Sequence, residues 1–93
     1  MGEQAAPLGR IVGVVRDQNG KPVEGARVYF TGAPGPVPDI AALSASDGSF
    51  SFAAPVEGTY TVESRGEGLA PASATVGVRG GEEARVEISL KAP

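Results

Sequence analysis

The sequence predicts an all-β domain: a sandwich of about seven short strands, antiparallel and connected as a Greek key. Three observations lead there. Glycine (14) and proline (8) punctuate the whole chain of 93 residues. The runs between them alternate apolar and polar residues with period two. No segment sustains the apolar stripe of an amphipathic helix.

The first run, "RIVGVVRD", sets Ile11, Gly13 and Val15 on one face and Val12, Val14 and Arg16 on the other. "DQNGKPVEG" follows as a turn, because Asn19-Gly20 tolerates positive φ and Pro22 cannot donate to a ladder. In "ARVYFT", Ala26, Val28 and Phe30 point inward while Arg27, Tyr29 and Thr31 point outward. The spaced prolines of "GAPGPVPD" favour an extended loop. "IAALSAS" offers a short edge strand. "SFSFA" directs Phe50 and Phe52 inward, "APVEG" turns the chain, and "TYTVES" buries Tyr60 and Val62. "RGEGLAP" is a loop, and "ASATVGV" pairs Ala74, Val76 and Val78 on one face. "RGGEE" reads as a hairpin turn into "ARVEISL", with Val86, Ile88 and Leu90 inward. Residues 9–91 thus form a single domain, with residues 1–8 a flexible lead-in and 92–93 a tail.

Composition excludes several kinds of chemistry. Aromatics are 5% of the chain against 41% apolar residues, so alanine and valine supply much of the core. A domain this small buries only roughly 60–65% of its unfolded surface. The net charge of −3 and the absence of any Lys/Arg run argue against nucleic acid. With no cysteine there is no disulfide and no thiolate. With no histidine, the commonest general base and transition-metal ligand is gone. "MGEQAAPLGR" lacks the basic start and apolar h-region of a signal peptide, so if the parent protein is exported its signal is expected to have been removed or to lie upstream.

Two turns invite a chemical reading. Asp47-Gly48 has only serines nearby, so a capped tight turn is expected rather than a calcium loop. Asp17-Gln18-Asn19-Gly20 offers two oxygen side chains, too few for a calcium ion unless both turns share a weak one at one end of the sandwich. Glu82-Glu83 sits in a turn, and Lys21 and Lys91 both look solvated. No catalytic residue, metal site or cofactor is expected.

"GVVRDQNGKPVEGARVYF", "SDGSFSF", "VEGTYTV" and "VGVRGGEEARVEISL" together resemble the carboxypeptidase regulatory-like domain. That family belongs to the prealbumin-like sandwiches, close to the repeat modules of bacterial surface adhesins. The resemblance runs from Arg10 to Leu90, and "GAPGPVPDIAAL" departs from it by its length and prolines. It implies a non-catalytic accessory, structural or interaction module of a larger bacterial protein, outside the cytoplasm: extracellular, periplasmic or on the cell surface. The expected partners are neighbouring domains of the parent or another protein, with neither nucleic acid nor membrane insertion. Some adhesin modules carry a Lys–Asn isopeptide bond. Here the first strand carries Arg10 and Arg16, and the sole asparagine, Asn19, is in a turn, so no such bond is expected.

One strand raises a sharper question. Val12 and Val14 make the first run apolar on both faces. The favoured reading is a central strand covered by a loop, such as the proline-rich one. The alternative is an exposed docking patch. Val12, Val14, Tyr29, Pro36 and Pro38 are the candidate interaction residues. The competing functions are a carbohydrate- or peptide-binding module using the 32–43 loop and Tyr29, and a small hydrolase.

Overall fold

The computed structural model describes residues 9–37 and 41–93. The expected lead-in at 1–8 and the candidate Pro38 lie outside the described residues. Seven strands form: β1 (Gly9–Asp17), β2 (Arg27–Gly32), β3 (Ala42–Leu43), β4 (Ser49–Ala54), β5 (Gly58–Arg65), β6 (Ala72–Val78) and β7 (Glu83–Leu90). They make two sheets, ordered β4-β1-β7 and β3-β2-β5-β6.

Alternation places the core as expected. Ile11, Val15, Ala26, Val28, Tyr60, Val62 and Leu90 are fully buried, and Phe50, Val78 and Ile88 nearly so. Two clusters arise, one around Val15, Val28, Val62 and Leu90 and one around Ile11, Ala54, Tyr60 and Val78, with Phe30, Phe52 and Val86 touching both. Tilted aromatic contacts join them: Phe30 lies 4.6 Å from Phe52 and 5.4 Å from Tyr60, centroid to centroid. Gly13 is part of this packing. A Cβ there would clash with the Phe50 ring and stand 2.7 Å from the Val86 carbonyl oxygen.

Three expectations need correction. β7 runs parallel to β1, from Arg10↔Glu83 to Asp17↔Leu90, so the sandwich is not wholly antiparallel. β6 and β7 belong to different sheets, so "RGGEE" is a connection between sheets and not a hairpin. Its turn is closed by Glu82 N–H donating to the Arg79 carbonyl (3.1 Å), with Gly81 at φ 77°. The third correction concerns the loop expected over β1. In its described part Pro34 packs beside Gly58 and Val56 beside Gly35, while Pro36 and Val37 line a cleft with Phe30, Phe52 and Pro55. The residues described before position 38 thus lie at the Phe30, Phe52 and Pro55 side of the sandwich, while Ala42 and Leu43 at the far end of the loop reach the groove that holds Val12 and Val14.

Candidate interaction surfaces

Every turn that looked chemical is occupied with folding. Asp17 Oδ1 accepts the N–H groups of Asn19 (2.8 Å) and Lys21 (3.0 Å). Asp47 Oδ1 accepts the Ser49 hydroxyl (2.6 Å) and the Ser49 N–H (3.0 Å). The Ser49 hydroxyl first, then its N–H, lowers the Asp47 carboxyl below its ordinary value. Gly20 and Gly48 take φ near +80°, which only glycine adopts readily. The two turns do share one end of the sandwich, since Val15 N–H donates to the Gly48 carbonyl and Gly48 abuts Pro22. Among the described residues, no three His, Cys, Asp or Glu side chains gather there or elsewhere to hold a metal.

Inside the sandwich two serines behave differently. Ser44 Oγ accepts from Ala26 N–H (2.8 Å) and donates to the Val23 carbonyl (2.6 Å), pinning the entry to β2. Ser64 is fully buried in β5, and its hydroxyl has no partner among the described residues. Tyr60 holds the crossing from β4 to β5: its hydroxyl donates to the Val56 carbonyl (2.6 Å) and accepts the Val56 N–H (3.1 Å).

The outer face of the β4-β1-β7 sheet carries Val12 and Val14, both half-buried. Val12 stands between Ser51 and Arg85, and Val14 between Ser49 and Glu87. Leu43, 66% exposed, reaches the same open groove. Charges frame it as local pairs, Arg16–Glu87 at 3.2 Å and Arg85–Glu83 at 3.4 Å. Half-burial of the valines thus comes from flanking side chains on neighbouring strands.

Tyr29 lies on the other side of the molecule. It sits opposite Glu63 on the outer face of the β3-β2-β5-β6 sheet. Its hydroxyl donates to Glu63 Oε2 (2.6 Å) and accepts from Arg65 Nε (2.6 Å), which also reaches Glu63 Oε2 (3.1 Å). The Tyr29 hydroxyl, followed by Arg65, lowers the Glu63 carboxyl, while the same hydroxyl raises the Arg65 guanidinium. Val12 and Val14 therefore do not share a surface with Tyr29, and Pro36 belongs to the loop cleft between them. The five candidates do not make one site. Sequence reasoning missed the Tyr29–Glu63–Arg65 cluster. The alternation puts Glu63 and Arg65 on one face, but only the β2–β5 pairing brings Tyr29 to them.

The model of the carboxypeptidase regulatory-like domain matches residues 10–91. The chain belongs to this family. Comparison with curated proteins finds no match. Among solved structures, hydroxyquinol 1,2-dioxygenase from Pseudomonas putida DLL-E4 superposes with a TM-score of 0.70 at 12% identity, over 97% of this chain. This chain spans only 58% of that protein. The dioxygenase domain of a dioxygenase carbohydrate-binding protein fusion from Streptomyces sp. SirexAA-E gives 0.69 at 15% identity, over all of this chain and 85% of that one. A DUF3823 family protein from Parabacteroides merdae ATCC 43184 gives 0.60 at 23% identity, over 95% of this chain and 47% of that one. At such identities these likenesses show the shared sandwich fold and nothing of its chemistry.

Proposed function

We propose that this regulatory-like domain is a non-catalytic docking module of a larger, exported or cell-surface protein. It packs against a neighbouring domain of that protein through the outer face of its β4-β1-β7 sheet. The observation that carries this reading is the strip of Val12 and Val14 at the centre of that face, which lines an open groove with Leu43 at its edge. An apolar strip framed by ion-paired Arg16, Glu87, Arg85 and Glu83 suits burial against another folded surface, which covers the valines and leaves the charges at a solvated rim. Family membership supports an accessory role. A non-catalytic role is supported by the residue types and their settings. Histidine and cysteine are absent, and the carboxylates with shifted protonation, Asp47 and Glu63, are shifted by bonds that hold turn and strand together.

The experiment is a titration of the isotope-labelled domain with the domains encoded beside it. Backbone shifts are expected to cluster on Val12, Val14 and Leu43. The double variant Val12→Asp/Val14→Asp is expected to stay folded, losing roughly 1–2 kcal/mol of stability for two such changes at half-buried strand positions, and to lose the association. Shifts that leave Val12 and Val14 unmoved, or association that survives the double variant, would refute this reading.

A further inference from the structure

The opposite face holds an arrangement that docking through Val12 and Val14 does not use. Arg27 on β2 and Arg65 on β5 are directly opposed across the antiparallel ladder. Side chains so placed have Cβ atoms about 5 Å apart, and like charges there repel. Nothing among the described residues relieves Arg27: it makes no ion pair and no side-chain hydrogen bond. Arg65 is different, because it is held. Its Nε is spent on Tyr29 and Glu63, while both of its terminal amino groups carry no hydrogen bond among the described residues. A guanidinium fixed through Nε presents those terminal N–H groups in a set direction, the geometry that receives a carboxylate in bidentate fashion. Arg27 stands beside it with its whole fork unspent among the described residues.

We propose that Arg27 and Arg65, with Tyr29 as the residue that positions Arg65, form a docking point for the side-chain carboxylates of an acidic protein segment. Charge complementarity selects the partner. The local sum over Arg27, Arg65 and Glu63 is one net positive charge on a chain whose overall charge is −3. A bound carboxylate relieves the repulsion between the two guanidiniums. The exposure of Arg65, 61% at its side chain, keeps the interaction modest and salt-sensitive. This site is independent of the valine face and stands or falls separately from it.

The probe is an alternating glutamate–serine peptide, with the glutamine–serine peptide as its neutral counterpart. Backbone and guanidinium shifts are expected to centre on Arg27, Tyr29 and Arg65. Arg27→Gln and Arg65→Gln are each expected to weaken binding about three- to fivefold, the range of a single exposed ion pair. Tyr29→Phe keeps the ring and removes only the hydroxyl that holds Arg65. It should weaken binding in the same sense while leaving the Arg27 shifts in place, which a purely structural role for Tyr29 does not predict. Arg79→Gln, in the β6–β7 connection, should change nothing. Equal binding of the neutral peptide, full affinity in the Arg27→Gln/Arg65→Gln double variant, or shifts centred elsewhere each overturn the proposal. Displacement of the peptide by sulfate at matched ionic strength would reassign the site to a tetrahedral anion and equally overturn it.

Discussion

The two sheets solve the same packing problem with opposite outer faces. In β4-β1-β7 the central strand is apolar on both sides: Ile11, Gly13 and Val15 face the core, while Val12 and Val14 face out between serines and ion-paired arginines. On β2, β5 and β6 of the other sheet the outward side chains are polar: Tyr29, Glu63 and Arg65 form one bonded group, and the Thr61 and Thr75 hydroxyls lie 3.4 Å apart. The inner faces reverse the order. The three-stranded sheet packs so closely that it needs a glycine at residue 13, whereas the four-stranded sheet buries a hydroxyl at Ser64 that has no partner among the described residues. One sheet is tight inside and open to apolar contact outside. The other is imperfect inside and self-satisfied outside, apart from Arg27. An apolar outer strip gains free energy only if something covers it, while hydroxyls and paired charges suffice for a face in contact with water.

Glycine substitutions test the contrast most strongly. Gly13→Ala inserts a methyl where the Phe50 ring and the Val86 carbonyl already meet, and should cost about 1–3 kcal/mol by urea unfolding. Gly77→Ala, on the outer face of β6 with open space around it, should cost nothing and gain a few tenths of a kcal/mol. Equal effects at the two positions would erase the difference in packing.

Ser64 gives a smaller effect of opposite sign. Replacing a buried, unsatisfied hydroxyl by hydrogen removes a desolvation cost of about 1–3 kcal/mol but leaves a small void, so Ser64→Ala should stabilise by about 1 kcal/mol net. A loss of stability on thermal melting would show that the hydroxyl has found a partner.

The mildest test is pH. Asp47 and Glu63 both have carboxyls lowered on folding, so each contributes stability above its unfolded value, near 3.8 and 4.5, that is lost as pH falls through the lower folded value. The urea midpoint should therefore hold above about pH 5 and decline below it. Tyr29→Phe should flatten the Glu63 part and Asp47→Ala the Asp47 part, each with a small fall in midpoint at neutral pH. Unchanged acid profiles in both variants would show that these hydrogen bonds carry no stability.

Much of the fold was legible because strand alternation is a local property. Phe50, Tyr60, Val62, Ile88 and Leu90 were assigned inward from their spacing and are buried. Gly20 and Gly48 were read as turn residues and carry positive φ. The surfaces were less legible. Tyr29 and Val12 look alike in sequence, as outward residues on neighbouring strands, yet they face away from each other across the sandwich. Ser44 and Ser64 are both serines in apolar company. Ser44 both accepts and donates, while Ser64 does neither among the described residues, a difference set by backbone groups distant in sequence.

By itself, then, the sequence determined the number of strands, the turns between them and which side of each strand is apolar, because side chains alternate with period two and glycine and proline constrain the backbone where they stand. Tertiary structure alone decided the pairing. It laid β7 parallel to β1, sent "RGGEE" from one sheet to the other, turned the valine strip and the tyrosine cluster to opposite sides, and set Arg27 against Arg65. No local pattern encodes which edge a strand joins. That choice follows from how two twisted sheets close over a shared core, where contacts far apart in sequence act together.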